Sequence, residues 1–105
     1  MITKKRLGHW LQLFFFSAAC QTKLVGQLAG VFLTPTSFHV TNIFVEPDWR
    51  SQGIATRLLQ RLVLELKKNR VHTLTLDDCS DTGRLYKKFG FYYIEDGYPE
   101  MVLHL

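Results

Sequence analysis

A leucine-rich helical repeat between two strand-like segments constrains the fold of this sequence most strongly. Apolar side chains recur every four residues along one stripe of the segment, at Ile54, Leu58, Leu62 and Leu66, widened by Ala55, Leu59 and Val63. Two lysines and Asn69 are predicted to end this helix. The segments on either side, residues 38–45 and 71–76, are rich in β-branched and aromatic residues and are predicted strands. A strand, a long helix and a strand in succession predict a parallel pair with a right-handed crossover.

The remaining predicted elements are mostly strands. They are a Phe-rich strand at residues 11–20, a strand at 23–33, a short helix at 81–89 closed by Gly90, and strands at 91–94 and 101–105. A helix over residues 7–19 is the alternative for the first of these, because an all-apolar run does not fix its own period. The expected fold is one α/β (α+β) domain over residues 1–105, in the order β-β-β-α-β-α-β-β.

Composition supports a folded domain. The chain has 105 residues, of which 47% are hydrophobic and 21% charged, and this balance excludes a disordered chain. The net charge of +4 comes from short clusters at residues 4–6, 67–70 and 87–88. These clusters form no continuous basic stripe, so a nucleic-acid partner is not expected, although they favour capture of an anionic ligand.

The two cysteines, Cys20 and Cys79, form no CxxC pair and have no histidine at metal-ligand spacing. We therefore expect reduced thiols, a cytoplasmic protein and no metal. No apolar run reaches the roughly 18 residues that a transmembrane helix needs, so no membrane association is expected. A secretory signal is the alternative at the N-terminus, where a basic triplet precedes an apolar run and the small residues at 17–20.

The segment from residue 45 to residue 56 has the features of an anion-binding site. A strand ends before Pro47, and a polar loop leads into a helix that has Gly53 and Ala55 at its start. The first amides of a helix lack intrahelical partners and lie at the positive end of its dipole. Small residues there let a phosphate approach the backbone, while Thr56 can add a hydroxyl and Arg50 a positive charge.

Two motifs in this sequence resemble those of the GNAT N-acetyltransferase superfamily. Arg50-x-x-Gly53-x-Ala55 resembles the family's [Q/R]-x-x-G-x-[G/A] motif, in its context between a strand and an amphipathic helix. Leu85-Tyr86-x-x-x-Gly90-Phe91 resembles the family's LYxxxGF element. Either motif alone is weakly specific, but both occur at the family's separation and in its order of elements.

This resemblance implies a mostly antiparallel sheet with a central parallel pair and acetyl-CoA as the acyl donor. Pantetheine would lie along the backbone of the first strand of that pair, and the pyrophosphate would lie at the helix start. The implied cofactor-binding residues are Ile43, Phe44, Val45, Arg50, Ser51, Gln52, Gly53, Ile54, Ala55 and Thr56. Tyr86 would act as general acid toward the departing thiolate.

The group that accepts the amine proton is left open by the sequence. Some family members carry a glutamate on the strand before the motif, and the matching stretch here contains His39. Asp77, at the end of the next strand, stands where some relatives carry an acid. Histidine and aspartate are both able to act as bases, and water is a third route for the proton.

One feature of the sequence departs from the family: the usual N-terminal strand and helices are expected to be missing, or their wall to be supplied by a second chain. The family begins with a strand and two helices that form one wall of the acceptor site, and about a dozen residues precede the first predicted strand here. A homodimer is expected to complete the site. The predicted reaction is acetyl transfer to a primary amine by direct attack in a ternary complex. The alternatives are a non-catalytic acyl-CoA-binding or regulatory module and a toxin-like acetyltransferase that acts on aminoacyl-tRNA.

Overall fold

A twisted mixed sheet with an amphipathic helix packed on it organises the protein. The computed structural model describes the backbone of residues 2–7, 13–20, 23–78 and 83–105, and the side chains of 24–78 and 84–105. The elements in these ranges are β1 (Ile2–Leu7), β2 (Leu13–Cys20), β3 (Lys23–Thr34), β4 (Ser37–Val45), α1 (Ile54–Lys68), β5 (Thr73–Asp77), α2 (Gly83–Phe89), β6 (Tyr92–Tyr93) and β7 (Glu100–His104). A 3₁₀ turn, Pro47–Trp49, joins β4 to α1.

The strands lie in the order β1-β2-β3-β4-β5-β7-β6. Every neighbouring pair is antiparallel except β4 and β5, which are parallel and are connected through α1. The mixed sheet, the central parallel pair and the helical stripe are therefore confirmed. The alternative of a helix over residues 7–19 is wrong, because residues 13–20 form a strand paired with β3.

The strand β1 is a feature that the sequence analysis missed. It pairs with β2 from Ile2 opposite Ala18 to Leu7 opposite Leu13. The sheet therefore has one more strand than predicted, and the expectation that the N-terminal strand is absent is wrong. The charged triplet at residues 4–6 reads as a solvated segment, yet charged residues are also common on edge strands, where they discourage pairing with other chains. Part of the predicted helix at 81–89 lies outside the described residues.

The parallel pairing of β4 with β5 is short. It joins Ser37 to Thr73, Phe38 to Leu74 and His39 to Thr75. On its other side β4 stays paired with β3 as far as Val45, after a register shift opposite Ala29. The far half of β4 therefore has one edge on β3 and diverges from β5 on the other, which opens a V between the two central strands.

The hydrophobic core lies between the sheet and α1. A Cβ added at Gly26 of β3 would lie 2.9 Å from the Ile54 side chain, so this face of β3 contacts the start of α1. Residues alternate between the two faces of a strand, and Phe38 and Leu74 on this face are fully buried. The helix contributes four buried leucines to the same cluster: Leu58, Leu59, Leu62 and Leu66.

The opposite face of the central strands is more polar. His39 and Thr75 are paired there and are partly buried, and Asp77 follows two residues later on the same face. Among the described residues, neither helix is long and apolar enough to cross a membrane.

Replacing Leu62 with Ala is expected to lower the free energy of unfolding by about 2–5 kcal/mol, because its side chain is fully buried and the change leaves a cavity. Leu64→Ala on the same helix is the matched control, since Leu64 is 47% exposed and its loss should cost less than about 0.5 kcal/mol. Urea unfolding followed by circular dichroism measures both. Equal losses would contradict the assignment of the buried face of α1.

Candidate functional site

A cavity of about 480 Å³ lies where the end of β4, the start of α1 and the helix α2 meet. Its size falls within the range of about 300–1,000 Å³ found for small-molecule sites. The lining residues come from three segments: Ile43, Phe44 and Val45; Trp49, Arg50, Ser51, Gly53, Ile54, Ala55 and Thr56; and Leu85 and Tyr86.

The loop before α1 is built from local hydrogen bonds that bring the chain into the helix. The amide of Glu46 donates to the Val25 carbonyl at 2.8 Å and so ties the end of β4 to β3. Pro47 begins the 3₁₀ turn, where its fixed φ fits and its missing N–H costs nothing. Gly53 then adopts a left-handed conformation, φ 80°, at the N-cap position of α1.

The N-terminus of α1 is open to an anion. The Arg57 amide makes the first helical bond, to the Gly53 carbonyl at 3.0 Å, so the amides before it have no carbonyl one turn back. Among the described residues, no side chain caps this end of the helix, and the first turn of α1 carries no acidic residue. These donors and the helix dipole together favour a negatively charged group at this side of the cavity.

Gly53 is required for its backbone conformation rather than for space within the protein. A Cβ at this position would meet nothing within 4 Å, but φ 80° is strained for residues that carry one. The empty space in front of Gly53 is therefore available to a ligand. A long side chain there would occupy the space next to the helix N-terminus.

Arg50 is held at the rim of the cavity by two contacts. Its Nε donates to the Val45 carbonyl at 3.0 Å, and its guanidinium carbon lies 5.8 Å from the centre of the Phe44 ring. The second distance is within the range of a cation–π contact. Arg50 therefore adds a positive charge beside the uncapped amides.

Tyr86 enters the cavity from α2, and its position depends on how that helix ends. Gly90 has φ 103° and its amide bonds the Lys87 carbonyl at 3.0 Å, while the Phe91 amide bonds the Tyr86 carbonyl at 3.1 Å. This pair of bonds is a Schellman motif. The rings of Tyr86 and Phe91 pack edge to face, with centroids 5.9 Å apart, and Tyr86 is only 4% exposed.

The structure brings together His39 and Asp77, which the sequence left as alternative bases. The Nδ1 atom of His39 lies 2.7 Å from Oγ1 of Thr75, within hydrogen-bond distance. The Nε2 atom of His39 lies 3.8 Å from Oδ2 of Asp77. The three side chains share the polar face of the sheet at the last pairing of β4 with β5, where the V begins.

The predicted cofactor residues cluster around the cavity with one exception. Gln52 is not among the described lining residues, and its amide nitrogen lies 3.5 Å from the Asp48 carbonyl oxygen. His39 and Asp77 are also outside the described lining. Sequence reasoning did not assign two lining residues to the cofactor site: Trp49, which precedes Arg50, and Leu85, which is itself part of the second motif.

Comparison with known proteins agrees with this geometry. A family model described as the acetyltransferase (GNAT) domain matches residues 5–100, so the chain belongs to the GNAT acetyltransferase family. The resemblance found in the two motifs is thereby confirmed.

Relatives share the fold at low identity. An uncharacterized N-acetyltransferase, ycf52, of Gracilaria tenuistipitata var. liui is 29% identical over 68 residues, which are 63% of this chain and 37% of that protein. Rv2747 from Mycobacterium tuberculosis, solved in complex with CoA and NLQ, superposes with a TM-score of 0.78 at 16% identity, over 87% of this chain and 75% of that chain. The ribosomal-protein-S18-alanine N-acetyltransferase of Escherichia coli superposes with a TM-score of 0.72 at 25% identity. The match covers 94% of this chain and 72% of that chain.

Proposed function

We propose that this protein transfers an acetyl group from acetyl-CoA to a primary amine by direct attack in a ternary complex. The observation that carries the proposal is one cavity that joins the diverging edge of β4, the uncapped N-terminus of α1 and the side chain of Tyr86. Each of these parts suits a different portion of acetyl-CoA.

The chain's own groups fit the donor along its length. The pyrophosphate would accept hydrogen bonds from the first amides of α1, next to the charge of Arg50. The pantetheine would pair with backbone of residues 43–45, because β4 is bonded to β3 on one edge there and diverges from β5 on the other. The thioester would then lie toward the closed end of the V.

Tyr86 supplies the proton that the departing thiolate needs. The amine nitrogen attacks the thioester carbonyl, so a C–N bond forms and the C–S bond then breaks. The phenol of Tyr86 donates its proton to the CoA sulfur and regains one from the attacking nitrogen, which loses a single N–H proton as the amide forms. A phenol is a reasonable donor to a thiolate, and burial of the ring limits competition from water.

A glutamate at Gly53 is expected to weaken acetyl-CoA binding at least tenfold, about 1.4 kcal/mol, because it adds bulk and negative charge at the helix N-terminus. Gly97→Glu is the matched control: Gly97 also has positive φ and open space around it, but lies in the β6–β7 loop. Calorimetric titration with acetyl-CoA measures both, after circular dichroism shows that each variant is folded. Equal weakening in the two variants would argue against a pyrophosphate site at α1.

Tyr86→Phe is expected to reduce kcat about 100-fold while leaving the affinity for acetyl-CoA unchanged, because only the hydroxyl is lost and the ring contact with Phe91 stays. Amine-dependent release of CoA, followed with a thiol reagent, measures kcat. Full activity in the variant would remove Tyr86 from the chemistry. Tight binding without transfer to any amine in the wild type would instead favour the acyl-CoA-binding module.

The acceptor side of the site bears on the oligomeric state. Five residues join β1 to β2, fewer than the two helices of the family's acceptor wall would need. We propose a cytoplasmic homodimer in which a second copy supplies that wall. Three exposed apolar side chains near the β6 edge support a contact there: Tyr92 at 50%, Ile94 at 52% and Tyr98 at 61% exposure.

Ile94→Lys is expected to convert the dimer to a monomer, because a charge at the centre of an apolar contact is costly to bury. Leu64→Lys is the control, since Leu64 is similarly exposed at 47% but lies on α1. Analytical ultracentrifugation gives the mass of each. A monomeric wild type, or a monomer only for Leu64→Lys, would contradict the proposed contact.

A further inference from the structure

We infer that Gly26 of β3 is a positioning residue for the donor site, because it sets the spacing between the N-terminus of α1 and the end of β4. This inference rests on the proposed function and specifies what holds two portions of the acetyl-CoA site in register. Gly26 is not among the described residues that line the cavity. Instead, it contacts two segments that do.

The start of α1 and the end of β4 both approach Gly26 closely. A Cβ added at Gly26 would lie 2.9 Å from Cγ2 of Ile54, the first residue of α1, and 3.2 Å from the carbonyl oxygen of Phe44 in β4. The next atom, Cδ1 of Leu58, would lie 3.6 Å away, which is an ordinary van der Waals contact. Gly26 therefore occupies the point where the helix start and the strand end meet.

Space, and not backbone conformation, accounts for glycine at this position. Three of the described glycines have positive φ, and Gly26 is not one of them. It lies within β3, where it pairs with Ala18 of β2 and with Val45 of β4. A glycine inside a strand often marks the close approach of another element. Here that element is the first turn of α1.

Neither neighbour of Gly26 yields easily to an added methyl group. Ile54 is β-branched, and its χ1 angle has one strongly preferred rotamer in a helix, so Cγ2 cannot swing aside freely. The Phe44 carbonyl belongs to the backbone, and the nearby Glu46 amide is bonded to the Val25 carbonyl at 2.8 Å. An unstrained carbon contact is about 3.5 Å, so the methyl group would push α1 and β4 apart by about half an ångström.

This spacing affects a ligand that spans both segments. In the proposed function, the first amides of α1 bind the pyrophosphate and the edge of residues 43–45 pairs with the pantetheine. A covalent linker joins these two portions of acetyl-CoA, so binding of one portion raises the effective concentration of the other. That gain requires both subsites to fit the linker simultaneously. Gly26 thus fixes the distance on which the combined affinity depends.

Gly26→Ala is expected to weaken acetyl-CoA binding about tenfold while changing the affinities for inorganic pyrophosphate and for S-acetylpantetheine less than about twofold. Each small probe occupies one subsite, and each subsite stays intact on its own segment. Calorimetry measures the acetyl-CoA affinity. Nitrogen-15 NMR shifts of the backbone amides of residues 54–56 and 43–45 measure the two probes. Equal weakening of all three ligands, or no weakening of any, would overturn the role of Gly26.

Leu62→Ala is the matched control for lost stability. Leu62 is a fully buried residue of the same helix, but it lies about two turns beyond Ile54. Under conditions where circular dichroism shows a folded protein, this variant should bind all three ligands within about twofold of the wild type. A tenfold loss for acetyl-CoA alone in Leu62→Ala would overturn the specific role of Gly26, because any loosening of α1 would then have the same effect.

A second substitution removes the same contact from the side of the helix. Ile54→Ala deletes the methyl group that an added Cβ would meet. In that background, Gly26→Ala should lower the acetyl-CoA affinity less than about twofold. The double variant has room for the added methyl group, so it gives a result even if Gly26→Ala alone does not fold. A tenfold loss in both backgrounds would overturn the steric coupling.

The outcomes separate the role of Gly26 from the proposed function. A wild-type protein that binds neither acetyl-CoA nor pyrophosphate would reject both. A wild type that binds all three ligands, together with unchanged affinities in Gly26→Ala, would reject the role of Gly26 alone. The expected pattern of affinities without transfer to any amine would reject acetyl transfer and keep the role of Gly26 in binding acetyl-CoA.

Discussion

The site depends on the unequal pairing of β4 with its two neighbours. Hydrogen bonds to β3 continue as far as Val45, whereas the parallel ladder with β5 ends at His39. A strand that is paired on one side only presents unpaired backbone groups on the other. The same divergence separates the cavity at the far end of β4 from His39, Thr75 and Asp77, which lie where the parallel ladder ends.

Packing of α1 against the sheet determines where the N-terminus of this helix lies. Its four buried leucines pack against one face of the sheet, and this packing sets the position of the N-terminus beside the end of β4. Gly53 and the 3₁₀ turn make the short connection possible without a capping side chain. The position of the uncapped N-terminal amides therefore depends on the packing of the core. A shift of α1 by an ångström would move these amides relative to β4.

Local chemistry explains which parts were predictable from the sequence. The apolar stripe of α1, the turn at Gly53 and the helix end at Gly90 each depend on residues close together in the sequence. The spacing of those residues is therefore enough to predict these features. The strand β1 was missed because its pattern is polar and its partner lies on a different segment. The approach of His39 to Asp77 depends on the register of β4 against β5, which loop lengths and tertiary packing decide.

Tyr86 has a structural role at the end of α2, which is separate from the role of its hydroxyl in the proposed reaction. Its ring and carbonyl terminate the helix together with Gly90 and Phe91, and phenylalanine could perform that duty equally well. In the proposed reaction, the hydroxyl is the group that donates a proton. Selection for folding would therefore preserve the leucine, the aromatic ring and the glycine of this motif in relatives that have lost catalysis. In the proposed reaction, a single oxygen atom of this motif distinguishes an enzyme from an acyl-CoA carrier with the same fold.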